Sequence, residues 1–240
     1  MSDVVSDTTY APAMRTALRY HRWVFSSFAR WVQGNALEIG SGHGIYTRWL
    51  RERGHDVIAS DIDPHACEAI AAEFAGDTGV STVCMDGIEP GKLKGRGINT
   101  VVAVNVLEHI ADDGKFIADA AALLRAQGGG RLCVFVPKSP ALYGPMDKLA
   151  GHHRRYTRGA LRKLLTDAGF DIVRLRPFNG VGGVGWWLNS KLARPQSLAD
   201  GAIQSQVGIF NTLVPLFRLV DPFYRLVGFG QSLVAWATIA

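Results

Sequence analysis

The fold is decided by nine residues, Ala36-Leu37-Glu38-Ile39-Gly40-Ser41-Gly42-His43-Gly44. A short apolar run, Leu37 to Ile39, stops at Gly40, and glycines recur at alternate positions, Gly42 and Gly44. Ile45 to Leu50 then contains neither Gly nor Pro and reads as a helix. A strand, a glycine turn and a helix in that order make a site for an anionic or polar ligand. The N–H groups of the turn and the positive end of the helix face the ligand. Glycine allows positive φ and close approach of the backbone.

Outward from the turn, short apolar runs alternate with helical stretches. Strands are expected at Ala36–Ile39, Val57–Ser60, Ser81–Cys84, Thr100–Val104 and Arg131–Val136. Helices are expected at about Ile45–Arg53, His65–Phe74, Asp113–Arg125 and Arg158–Ala168. Near-continuous apolar strands separated by helices indicate a parallel sheet covered on both faces. Asp171–Phe178 and Ser232–Ile239 supply two more strands. Upstream, Leu18, Trp23, Phe25, Phe28, Trp31 and Val32 recur at helical spacing, so residues 1–33 read as an N-terminal helical segment with a loosely attached start. The core then runs over 34–178 and closes with a last strand in 232–240. Between them, residues 179–231 carry an amphipathic pattern through Phe210, Leu213, Leu216, Phe217 and Val220, interrupted by Arg218, Asp221 and Arg225. This stretch reads as a helical insert, either packed on the sheet edge or, the favoured expectation, acting as a lid on a pocket. Peripheral contact with a membrane surface is a further option for it.

A chain of 240 residues fits one large domain, or one domain with a substantial insert, and that size supports a core without disulfides or metals. Hydrophobic residues at 48% and charged ones at 20% are those of a soluble globular protein. The net charge of +5 is spread along the chain rather than gathered in a stripe, which argues against an extended nucleic-acid face. The one dense basic run, His152-His153-Arg154-Arg155, suits a local anion site. Cys67, Cys84 and Cys133 are widely spaced and form no Cys-x-x-Cys pair; Cys84 and Cys133 lie in apolar runs, as buried free thiols in a reducing compartment do. Met1 to Thr9 is polar and no apolar run is long enough to span a bilayer, so a cytoplasmic location is expected.

A dinucleotide fingerprint, Gly-x-Gly-x-x-Gly, would place its third glycine at position 45, where this chain has Ile45. That, and the absence of a Tyr-x-x-x-Lys pair, disfavours an NAD(P)-dependent Rossmann oxidoreductase. Asp61 closes the second strand, at a distance suited to a ribose, and Asp86 follows the third in Val83-Cys84-Met85-Asp86-Gly87. Glu38 stands just before the turn. The carboxyl edge of such a sheet is where open α/β folds bind ligands.

Glu38-Ile39-Gly40-Ser41-Gly42-His43-Gly44, Ser60-Asp61-Ile62-Asp63 and Met85-Asp86-Gly87 together resemble the cofactor site of class I S-adenosylmethionine-dependent methyltransferases. The resemblance implies a Rossmann-like α/β fold: a seven-stranded, mostly parallel sheet with its last strand antiparallel and the helical insert between strands six and seven. It implies S-adenosylmethionine as cofactor, with Gly40 and Gly42 facing the methionine part, Asp61 on the ribose and Ile62 packed on the adenine. Asp86 would bond the adenine amine, Asn105 would approach the methionine end, and Glu38 and Gly87 belong to the same site. Asn105-Val106-Leu107-Glu108-His109-Ile110, Gly128-Gly129-Gly130, Val136-Pro137 and Ala168-Gly169-Phe170 extend the resemblance to type 11 and type 12 members. Gly151-His152-His153-Arg154-Arg155-Tyr156 is similar to a Gly-His-x-Arg-Arg-Tyr signature of bacterial ones. The chain departs from the pattern at Asn99, where an acid commonly opens the fourth strand, and at His153, where Tyr is more usual.

The expected activity is methyl transfer to a small, anionic-compatible molecule, most readily at an oxygen. A hydroxyl acceptor has a proton to lose, and His is suited to take it near neutral pH. His152 is the expected base or orienting group, with His109 as its competitor. Tyr143, His153, Arg154, Arg155, Tyr156, Trp186 and Trp187 are expected to shape the acceptor pocket. The two arginines either clamp an anionic group or pair with Asp147 or another acid to stiffen the loop. No resident metal is expected. Relatives that bind a divalent cation do so through Glu-x-x-Glu-His, and Asn105 here replaces the first acid, leaving Glu108, His109 and His152. Metal-assisted transfer through Glu108 and His109, transfer to nitrogen or carbon, and a non-catalytic cofactor-binding protein are the alternatives. The residues carry no signal for oligomeric state.

Overall fold

The computed structural model describes Met14, residues 16–184 and residues 201–240. Each expected strand forms, at nearly its expected bounds: β1 (Asn35–Ile39), β2 (Val57–Asp61), β3 (Val80–Cys84), β4 (Ile98–Val104), β5 (Gly130–Pro137), β6 (Asp171–Phe178) and β7 (Ser232–Ile239). They make one seven-stranded sheet in the order β3-β2-β1-β4-β5-β7-β6. The strands from β3 across to β5 pair in parallel, and β7 lies antiparallel between β5 and β6. The chain runs outward from β1 to β3 and then returns to β4 on the other side of β1. The switch point between β1 and β4 opens a crevice at their carboxyl ends.

Helices α1 (Leu18–Ser26), α2 (Ile45–Glu52), α3 (Pro64–Glu73), α5 (Asp113–Ala126) and α7 (Arg158–Asp167) flank the sheet, with short helices α4 (Pro90–Leu93) and α6 (Pro145–Leu149) in its connections. Both faces are covered, and β5 shows how. Leu132, Val134 and Val136 join a core with Ile117, Leu124, Leu161 and Leu165 of α5 and α7. The alternate residues, Cys133 and Phe135, join Trp23, Val24, Phe25 and Phe28 at the other face. A strand buried on both sides can therefore be apolar throughout. The N-terminal helix is shorter than its apolar spacing suggests. The chain leaves α1 at Ser26, and turns carry Phe28, Ala29 and Val32 into the same core. Trp31 stacks on Trp236 of β7, with Arg131 over the Trp31 ring.

Two expectations are corrected or sharpened. Cys84 is exposed, not buried, because β3 is the edge of the sheet; Cys67 and Cys133 are buried, and all three are free thiols. The late insert contains a 26-residue helix, α8 (Gly201–Leu226), which packs on α1. Its Asp221 is buried and accepts a hydrogen bond from Gly180 N at 3.0 Å, which ties α8 to the chain just beyond β6. Among the described residues no helix is long and apolar enough to cross a membrane.

Candidate active site

The glycine turn is held to β2 by Ser41 N, which donates to Ser60 O at 2.9 Å. Gly40 has φ +68°, and a Cβ there would stand 2.7 Å from Val106 Cγ2. Only glycine tolerates both the left-handed backbone and that approach to the segment after β4. Gly42 also has φ +52°, but a Cβ there would meet nothing within 4 Å, so this part of the turn faces open space. Asp61, ending β2, accepts from Gly42 N at 2.8 Å on one carboxylate oxygen and from Asp63 N at 3.0 Å on the other. It both fixes the turn and keeps lone pairs free on each oxygen. Ile62 beside it is 55% exposed and provides an apolar surface at the edge. Asp86 is exposed after β3, its N–H donating to Glu89 Oε1, and Gly87 follows in the left-handed region.

Glu38 lies inside the sheet, 2% exposed. Thr47 Oγ1 donates to its Oε2 at 2.6 Å, while Oε1 is buried with no partner. Burial pushes its carboxyl up to about 8; the Thr47 bond opposes the shift and the Asp61 charge adds to it. Asn105 follows β4 directly with φ +54°. Ser139 and Asn179, just past β5 and β6, are the other non-glycine residues with positive φ among the described residues. All three stand at the carboxyl edge, where strained backbone gathers at functional sites.

The histidine cluster is built from that same edge. Glu108 and His109 sit on a single 3₁₀ turn, Leu107–His109. Glu108 is buried, its Oε2 has no partner, and burial pushes its carboxyl up to about 8. The loop after α6 folds over this turn, with His153 N donating to Glu108 O at 2.7 Å. His152 thereby meets His109 edge to face, ring centroids 4.7 Å apart. Burial, followed by the neighbouring His152 and His153, pushes His109 down to about 4, so it is neutral at physiological pH. His152 Nδ1 lies 2.8 Å from Asp147 Oδ1, and Tyr143 Oη donates to its carbonyl at 2.7 Å. Ligand-type atoms of Glu108, His109 and His152 all lie within 4.8 Å of one another.

Asp147 is the residue whose weight the sequence under-represents. It is fully buried at the start of α6 and accepts from His152, from Arg155 Nε at 2.8 Å and from Gly144 N at 3.0 Å. Burial alone would raise its carboxyl, but those partners hold it below the ordinary range. Of the two expectations for the arginines, the structure realises pairing within the protein. Arg155 is 5% exposed on Asp147, and Arg154 pairs with Asp113 at 2.8 Å. Tyr156 is buried too, its hydroxyl 2.8 Å from Asp113 Oδ2. Arg155 and Tyr156 thus hold the loop in place and do not present free polar groups to an acceptor. The role of Asp113 has no local signal, since it depends on packing between α5 and a loop over forty residues away. Trp186 and Trp187 lie outside the described residues.

A family model described as a methyltransferase domain matches residues 19–175. A probable S-adenosylmethionine-dependent methyltransferase of Mycobacterium tuberculosis is 29% identical over 168 residues, 68% of this chain and 58% of that protein. The chain therefore spans little more than half the length of that relative. Among solved structures, an S-adenosylmethionine-dependent methyltransferase from Mesorhizobium loti superposes with a TM-score of 0.58 at 16% identity, over 85% of this chain and 90% of the other. The putative methyltransferase in a complex with the Haloferax volcanii Trm112 activator superposes with a TM-score of 0.65 at 14% identity, over 99% and 98% of the two chains. These likenesses establish a common fold. With the family model spanning most of its sheet and the switch-point crevice, the chain belongs to the methyltransferase-domain family.

Proposed function

We propose that this chain transfers a methyl group from S-adenosylmethionine to a hydroxyl of a small molecule. The family and the name of the mycobacterial relative support the donor, as does the fit of the crevice. Gly42 offers open space against the turn, Asp61 has free lone pairs suited to two ribose hydroxyls, and Ile62 offers an apolar face for a base. S-adenosylmethionine, when bound, supplies an electrophilic methyl group, so the residues around it act mainly by alignment and exclusion of water.

The observation that carries the choice of oxygen is the Asp147–His152 hydrogen bond at the carboxyl edge. Asp147 orients the ring through Nδ1, which leaves Nε2 to accept the acceptor's hydroxyl proton. His109, pushed down to about 4 by burial, is a weak base. Labelled S-adenosylmethionine incubated with a small-molecule extract, followed by mass spectrometry of the labelled product, tests this reading. The methyl is expected on oxygen, with His152→Ala lowering turnover by about 10²-fold or more and leaving cofactor affinity intact. A label on nitrogen or carbon, or full turnover by His152→Ala, overturns the hydroxyl assignment.

A second reading is favoured by one observation, the convergence of Glu108, His109 and His152 with an unpartnered, buried Glu108 Oε2. Two imidazoles and a carboxylate suit a zinc-class cation, and the Asp147 bond to His152 is the kind that orients a ligating ring. On this reading a cation, and not His152, would polarise the acceptor oxygen. Dialysis against a chelator separates the two. Activity lost and restored by zinc, manganese or magnesium supports the cation; unchanged activity supports His152 as base.

A further inference from the structure

Helix α8 packs by one side and presents the other to solvent, and its solvent side is the apolar one. Val214 and Asp221 are buried, and Phe210 and Phe217 pack toward α1, where Phe210 meets Tyr20 edge to face at 5.6 Å. On the opposite side Ile209, Leu213, Leu216, Leu219, Phe223 and Leu226 recur at steps of three and four residues, the spacing of a single helical stripe. Leu219, Phe223 and Leu226 are 72%, 70% and 85% exposed. Scattered exposed leucines are ordinary, but a continuous stripe of them marks an interaction surface.

The charges around the stripe select its occupant. Among the described side chains, α1 and α8 carry Arg19, Arg22, Arg218 and Arg225 and one acid, Asp221, which is buried and bonded to Arg225. Among their described side chains these two helices therefore offer an apolar stripe, with Arg19 bonded to Thr212 O of α8 and Arg218 exposed on the same helix, and no exposed acid. A second copy docked on this face would set arginines against arginines without a compensating carboxylate. An anionic bilayer answers both features, taking the apolar stripe at the acyl boundary and the arginines among its headgroups. Asp221, on the packed side, fastens this half of α8 to Gly180 just beyond β6.

We propose that α8 seats the protein on an anionic membrane surface through Leu216, Leu219, Phe223 and Leu226, with Arg218 at the headgroups. The proposal goes beyond the methyl-transfer reading and stands or falls without it. The test is flotation of the full chain with vesicles of phosphatidylglycerol and phosphatidylcholine, and with phosphatidylcholine alone, alongside light scattering in the absence of lipid. Wild-type protein is expected to float with the anionic vesicles, less so at high salt. The exposed pair Leu219→Ser and Phe223→Ser should lower binding by about tenfold or more with an unchanged melting temperature, and Arg218→Glu should weaken it selectively for anionic vesicles. Absence of flotation, flotation unaffected by the serine pair, or a dimer in solution that the serine pair dissolves each overturns the proposal.

Discussion

Glu38 offers the most quantitative test of how the crevice is built. Its carboxyl is enclosed in β1 and pushed from 4.5 to about 8, with burial as the leading cause. Between those values the folded protein keeps a proton that the unfolded chain has released. Stability therefore falls as pH rises from about 4.5 to about 8 and levels off above that. One proton of difference is worth about 1.4 kcal/mol per pH unit, so this single group removes about 4 kcal/mol across the window. Glu38→Gln keeps an acceptor for Thr47 and abolishes the titration. The variant should match wild type near pH 5 and exceed it progressively, by about 4 kcal/mol at pH 8, or about 10 °C in melting temperature for a chain of this size. Denaturant unfolding of both proteins at intervals from pH 5 to 8.5 measures the difference. Glu108 titrates in the same direction, and His109, depressed to about 4, contributes the opposite slope between about pH 4 and 6.5. Both remain in the variant and cancel in the comparison. Parallel pH profiles for the two proteins would refute the buried, proton-holding state of Glu38.

Two further outcomes follow from the contacts at the carboxyl edge. Asp61→Asn should weaken S-adenosylmethionine binding in calorimetry by about tenfold or more, because it replaces a charged acceptor for hydroxyls with an amide; unchanged affinity removes Asp61 from the cofactor site. Asp147→Ala should destabilise the protein by about 3–5 kcal/mol in denaturant unfolding, since it leaves the buried Arg155 guanidinium without its carboxylate. Asp147→Asn, which preserves the shape, should cost less stability and act on turnover through His152, and equal losses from the two variants would contradict the pairing.

The fold was legible because its signals are local. The alternation of apolar strands with helices needs only neighbouring residues, and β6 and β7 form over the very residues expected, Asp171–Phe178 and Ser232–Ile239. The donor half of the site is local as well. The glycine turn and Asp61 are adjacent through one β-α-β unit, and the Gly42 N–H bond to Asp61 is what that adjacency produces. Burial at the margins was less legible. Cys84 has the apolar neighbours of an inner strand, yet the strand order leaves it at the sheet edge. The end of α1 is masked in the sequence for a related reason, since residues in a turn such as Phe28 and Val32 keep a helical apolar spacing when they enter the same core.

The acceptor half required the tertiary structure, and the reason lies in how the arginines are used. A run of two histidines and two arginines looks like an anion clamp when only its charge is counted. In the fold, Asp147 and Asp113 each arrive from another element and take one arginine apiece. Their effect is to press the loop onto the 3₁₀ turn, so that His152 is brought against His109 and Glu108. The charge of the run is consumed in positioning, and on the proposed reading the chemistry falls to the histidines. An anionic acceptor thus loses the support of Arg155. What recommends a hydroxyl acceptor is the imidazole that the buried ion pair holds in place, and both readings of the cluster, base or cation ligand, depend on the same Asp147.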